Sequence, residues 1–259
     1  MKTIRNLARR MGLLIAMLLP NFLKKPYYRL FFGYKIAKGV RIGMSYIDCR
    51  TLVVGAGTRI SHGVVFFGCG DVQLGEKVLI GPLNVFRGGA TLTFGDFSQL
   101  IRLNVINAIP QTDPSFHVVS EFSLGYGSVI TAEHKIDFTD RVTIGRCSIL
   151  GGRNSSLWSH NRAIGGEIRI GDYCYVGSEI RMAPGSEIPD LCIVGLGSVI
   201  IASKKFEPCS LIDGNPASVR RPLNADDDKY LFNRTRADLP VENYPAPPRA
   251  AAGSAMGKV

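Results

Sequence analysis

The sequence predicts an all-β fold: a parallel β-helix in which three short strands of about six residues make each coil. Three observations carry this. An aliphatic or aromatic residue followed by glycine recurs at Val54-Gly55, Leu74-Gly75, Phe94-Gly95, Leu124-Gly125, Ile144-Gly145 and Ile170-Gly171, with a spacing of 20 in the regular stretches. Apolar residues also recur every six positions, most clearly at Ile170, Val176, Met182, Ile188, Val194 and Ile200. The spacing then stretches to 30 after Phe94 and to 26 after Ile144, as a coil does when it expels extra residues at an edge.

A period of six fits neither an α-helix at 3.6 nor an amphipathic strand at 2. It fits a triangular coil with one aliphatic pointing inward from each face. Four positions after that aliphatic a small or modest residue also points in, at Thr58, Val78, Ser98, Ser128, Ser148, Cys174, Cys192 and Ser198. Cys174 and Cys192 thus read as a stacked, buried, free pair. About seven coils fit between residues 42 and 203, and such a stack needs capped ends.

Residues 1–40 form the first element, a basic and apolar helical segment. The first fifty residues hold eleven Lys/Arg and one acid, Asp48, which accounts for the whole net charge of +10. Basic character confined to one end argues against a nucleic-acid partner. Gly12–Pro20 is apolar, but no small-residue cleavage site follows, and it is far short of the roughly 20 residues that span a bilayer. Two compatible readings follow: residues 1–32 lie peripherally on an anionic membrane, or they cap the β-helix. The second element, 41–223, is the β-helix. The third, 224–259, is a tail, acidic at first and then rich in Pro and Ala, with disorder expected past about 245.

The six cysteines are scattered without a CxxC pair, which suggests reduced thiols and a cytoplasmic protein, peripheral at the inner face of the plasma membrane if the first segment binds there. The insertions cover about 107–121 and 158–167 and hold His117 and His160, with His134 on the coil between. Loop histidines beside a rigid scaffold are the usual placement for chemistry. His62, in the turn SHGV, reads as structural, and His117 as part of an ordinary surface loop.

The run from Ile170 to Pro222, ending in GNPA at Gly214–Ala217, resembles the C-terminal coils of hexapeptide-repeat O-acyltransferases, the galactoside and maltose O-acetyltransferases and their polysaccharide-modifying relatives. IGRCSILGGRNSSLWSHN, Ile144–Asn161, resembles the coil bearing that family's catalytic histidine. The resemblance spans about 124–222, and 42–106 by repeat alone. It implies a left-handed β-helix, a homotrimer with sites between subunits, acetyl-CoA as cosubstrate and no metal. It also implies roles. His160 matches the catalytic histidine, and Trp158 belongs to the same aromatic strand. His134 and Asp137 fall near acceptor-contacting positions, with His134 the alternative base, and Tyr175, like Trp158 a substrate-contact candidate, stands where relatives often have tryptophan. Gly177, Ser178 and Leu196 match the CoA channel. Ser203 and Lys204 resemble a threonine-lysine pair near the CoA phosphates, although two extra residues, Ile201 and Ala202, precede them. Arg221 matches a phosphate-binding arginine, while Ser218 stands where a further arginine is usual.

A sugar hydroxyl needs a base as it attacks a thioester, and histidine, ordinarily titrating near pH 6.5, suits the task. The expected function is therefore acetyl transfer to a hydroxyl of a sugar or oligosaccharide, in surface polysaccharide or lipid-linked oligosaccharide biosynthesis. Three alternatives share the fold: an N-acyltransferase on an amino sugar nucleotide, a non-catalytic scaffold, and a zinc enzyme using His117, His134 and His160.

Overall fold

The computed structural model describes residues 2–109, 119–162 and 164–231. Two helices, α1 (Lys2–Leu18) and α2 (Asn21–Phe32), lead into a parallel β-helix whose first strand is Lys35–Ile36. The inward residues trace three faces. The first carries Ile36, Val54, Leu74, Phe94, Leu124, Ile144, Ile170 and Ile188; the second Ile42, Ile60, Ile80, Leu100, Ile130, Leu150, Val176, Val194 and Ile212; the third Ile47, Phe66, Phe86, Ile106, Ile136, Leu157, Met182 and Ile200. All are buried in one continuous core. That makes eight turns, one more than the spacing suggests. Ile47 follows Ile42 by five residues rather than six, so the first turn does not show in the hexad count.

Every small residue expected to point inward is buried, including the free thiols Cys174 and Cys192. These side chains stitch turns together: Thr58 Oγ1 accepts the Val78 N–H (3.0 Å), Ser128 Oγ the Ser148 N–H (2.9 Å), and Ser148 Oγ the Cys174 N–H (2.9 Å). They meet a buried polar demand that the corner backbone cannot meet alone.

The edge between the third and first faces changes up the stack. In the lower turns single strands, Tyr46–Val54 and Val65–Leu74, run straight through it. Higher up the strands stop at Asn107 and Trp158 and resume at Glu121 and Ile168, so both insertions leave from this one edge. Between them the ring of Phe138 fills the interior against Phe122 and lies where a side chain on Gly89 would go. Gly89 has φ 79°, so glycine is required there twice over.

The helices close the lower end, burying Leu13, Ala16 and Tyr28 with Tyr34, Ile36, Val40 and Ile47. Arg9 pairs with Asp48 (2.9 Å) and donates to the Cys49 carbonyl (2.7 Å). Buried Lys24 donates to the carbonyls of Met17 (3.1 Å), Ile42 (3.3 Å) and Gly43 (2.6 Å), and burial lowers its pKa. The capping reading of the first segment is therefore what the fold displays. At the other end the strands Ser210–Gly214 and Ala217–Pro222 form an antiparallel hairpin around the GNPA turn, followed by a one-turn helix, α3 (Asp228–Leu231). No helix among the described residues is long and apolar enough to cross a membrane. His117 and most of the tail lie outside the described residues.

Candidate active site

His160 stands at the third–first edge, two residues beyond Trp158, the last residue of the strand Ser156–Trp158. Its backbone bridges Gly165 in antiparallel fashion, and the Asn161 N–H donates to the Ile164 carbonyl (2.9 Å), so the insertion is a small hairpin with His160 at its stem. Buried Ser159 anchors the stem. Its N–H donates to the Asp137 carbonyl (3.2 Å), its Oγ to Asp137 Oδ1 (3.4 Å), and its own carbonyl accepts the Gly166 N–H (2.8 Å). His160 itself is partly exposed.

Parallel register stacks a column beneath this stem. Arg87, Asn107, Asp137 and Trp158 are successive partners, each one residue beyond the inward residue of the third face. Arg87 and Trp158 are exposed, Asn107 partly so, and Asp137 is nearly covered, with Oδ1 also accepting the Thr139 N–H (2.9 Å). Sequence reasoning picked out Asp137 and Trp158 but not Arg87, Asn107 or Ser159. Counting one residue past Phe86 and Ile106 finds the first two.

His134 is elsewhere. It is 0% exposed, at the inner corner between the second and third faces. Its column is Asn84, Asn104, His134 and Ser155, and each side chain accepts the N–H of the next: Asn84 Oδ1 from Asn104 (2.9 Å), Asn104 Oδ1 from His134 (2.9 Å), His134 Nδ1 from Ser155 (3.1 Å). The Thr131 hydroxyl faces the carbonyls of Leu150 and Gly152 at 3.0 and 2.6 Å and spends its proton there, so His134 Nε2–H donates to Thr131 Oγ1 (3.0 Å). Nδ1 is thus an acceptor and the ring neutral. Burial pushes its pKa down to about 4. The acceptor-contacting role expected of His134 does not fit this position. The imidazole replaces an asparagine in an internal ladder.

The residues expected to contact CoA separate into two groups. Gly177, Ser178, Leu196 and Arg221 line one groove of about 640 Å³ on the second face together with Tyr175, a substrate-contact candidate, and the groove is closed at one side by Lys229 and Tyr230 of α3. Leu196 stands exposed on its wall, and the Gly177 N–H donates to the Val194 carbonyl (3.0 Å). A side chain on Gly177 would crowd that carbonyl, so the groove floor is backbone. Arg221 forms a two-pronged pair with Asp227 (2.6 and 2.9 Å), which holds its guanidinium at the groove's rim. Ser203 and Lys204 lie in an exposed turn after the last third-face strand, Val199–Ile200, on the same edge as His160 and not in this groove.

A second face and the edge between the third and first faces lie opposite each other in a triangular prism. One chain therefore presents its histidine edge and its groove in opposite directions. Among the described residues there is no group of three His, Cys, Asp or Glu side chains arranged to hold a metal ion.

No family model matches the chain. Over 131 residues it is 24% identical to the galactoside O-acetyltransferase of Escherichia coli strain K12, a match covering 49% of this chain and 64% of that protein. Over 78 residues it is 31% identical to a chloramphenicol acetyltransferase of Escherichia coli, covering 30% of this chain and 36% of that one. The chain thus spans less than two thirds of the curated relatives it matches. Among solved structures it resembles the polySia-specific acetyltransferase NeuO, with a TM-score of 0.45 and 16% identity over 73% of this chain and 85% of that one.

Proposed function

We propose that this chain is a CoA-dependent O-acyltransferase that moves an acetyl group from acetyl-CoA to a sugar hydroxyl in surface polysaccharide or lipid-linked oligosaccharide biosynthesis. His160 is the general base, and the working unit is a homotrimer. The observation that carries the reading is the stem at the third–first edge. It holds one partly exposed histidine at the end of a strand, beside an exposed Trp158 and above the polar column of Arg87, Asn107 and Asp137. Sugars are commonly held by such a pairing of aromatic face and hydrogen-bonding groups.

The chemistry follows from that arrangement. His160 accepts the hydroxyl proton as the oxygen attacks the thioester carbonyl. The tetrahedral oxyanion collapses, the carbon–sulfur bond breaks, and the proton on the imidazolium passes to the departing thiolate. Protons and charge balance without a metal. The second-face groove suits the thin pantetheine arm, with a glycine-backbone floor at Gly177 and an apolar wall at Leu196. Because groove and histidine edge point apart, a complete site needs the groove of one copy against the edge of another. That geometry supports the trimer and explains why Ser203 and Lys204 sit with His160 rather than with Arg221.

Thiol release from acetyl-CoA, measured against a panel of oligosaccharides, tests the reading. His160→Ala should lower kcat by about 10²–10⁴ with acetyl-CoA affinity nearly unchanged. Leu196→Arg should block the groove. Mixing the two inactive chains in equal amounts, with subunit exchange, should restore about a quarter of wild-type activity, since a site is intact only when each neighbour supplies its unaltered half. Full activity in His160→Ala would overturn the base assignment. No recovery on mixing would overturn the shared site, and transfer to amines alone would reassign the acceptor.

A further inference from the structure

The N-terminal helices carry more apolar surface than a cap uses. Their inner side, Leu13, Ala16 and Tyr28, is already buried. Leu7, Met11, Leu14, Ile15 and Leu18 then form a second stripe on α1, spaced three and four apart and exposed. On α2 Phe22 and Leu30 are 75% and 79% exposed, and Leu18 at the junction is 71% exposed. Beside that junction lies a groove of about 560 Å³, walled by Met17, Leu18 and Leu19 on one side and by Arg41, Arg59 and His62 on the other.

Arg41 and Arg59 are direct partners on adjacent parallel strands, about 4.8 Å apart along the stack, and both are exposed. Neither takes part in an ion pair among the described residues. Like charges held side by side repel, and an anion seated between them relieves the repulsion. The net charge of the whole chain resides in its first fifty residues. A second copy packed on this face about a twofold axis would bring the same cations against themselves. An anionic surface would not.

We propose that this end of the β-helix docks on an anionic bilayer, with the outer stripe of α1 and Phe22 entering the headgroup layer and Arg41 and Arg59 holding a lipid phosphate. The inference does not depend on acyl transfer, and its test uses no acyl donor. The full chain is floated with vesicles of phosphatidylcholine alone, or with about 30% phosphatidylglycerol. Binding is expected to the anionic vesicles only, and to be lost in about 1 M salt. Arg41→Gln with Arg59→Gln should reduce partitioning about 30-fold. Leu18→Glu with Phe22→Glu should abolish it while leaving the melting midpoint unchanged, because both side chains face outward. The proposal is overturned by equal binding to neutral vesicles, by no flotation, or by arginine variants that bind as the wild type does. It is also overturned if light scattering shows concentration-dependent association that Leu18→Glu with Phe22→Glu removes, which would assign the face to a second copy.

Discussion

Replacing His134 by asparagine should make the protein more tolerant of acid. In the folded chain His134 has its pKa pushed down to about 4 by burial, and its Nδ1 is already occupied by the Ser155 N–H. In the unfolded chain it titrates near 6.5. The unfolded state therefore takes up the proton first, and this contribution to stability, complete above about pH 6.5, is lost as pH falls toward 4. At about pH 5 the unfolded form is weighted roughly thirtyfold by protonation and the folded form hardly at all, a loss of about 2 kcal/mol per chain. Asparagine keeps the ladder, since Asn84 and Asn104 accept the same kind of N–H one and two turns below. The assay is urea unfolding of wild type and His134→Asn at about pH 7.5 and pH 5, at one protein concentration. All other groups are common to the two proteins and cancel in the comparison. Wild type should lose about 2 kcal/mol more than the variant on acidification, and the variant should retain acyl transfer. Equal losses in the two proteins, or a His134 resonance titrating near pH 6.5, would refute the reasoning.

Met182→Ala removes a fully buried side chain of the third face and should cost about 2–5 kcal/mol, lowering the melting midpoint by roughly 5–15 °C; a shift under about 2 °C would show that the core collapses around the gap. Cys174 and Cys192 should resist thiol reagents in the native protein. Burial raises the Cys174 thiol and pushes Cys192 up to about 11, leaving about one in a thousand Cys192 thiols ionised at pH 8. Partly exposed Cys209 should react first, and peptide mapping after labelling checks the order.

Much of this architecture can be read from the chain. Six-residue spacing identifies the inward residue of nearly every strand from Val54 to Ile200, because each coil repeats one geometric demand. The burial of His134 was legible by the same rule. It lies four positions after inward Ile130, as Asn84 follows Ile80 and Asn104 follows Leu100. Reading histidine as chemistry hid it. Beyond His134 the rule slips by one residue, to Ser155, because the strand pairing shifts there beside Gly151 and Gly152. The partners of Arg221 were not legible. Asp227 lies in the tail, where no repeat fixes position, and only the turn Ala225–Asp227 brings its carboxylate back. Nor does any hexad register the opposition of groove and histidine edge, which depends on the number of sides to the coil.

The corner ladders have a direction. From Asn84 to Ser155, and from Ser128 to Cys174, a side chain on an earlier turn accepts an N–H from the turn that follows it in sequence. A chain leaving the ribosome thus offers, at its growing end, acceptors already fixed for the coil not yet made. The helices that close the lower end are synthesised before the coils they cap, so that end is sealed before the stack lengthens. Each new turn need find only its predecessor, about twenty residues back, and the cost of closing that loop is the same at the eighth turn as at the second. Synthesis order and assembly order coincide, and the last exposed edge is covered by the hairpin at the GNPA turn, the final piece of the β-helix to emerge.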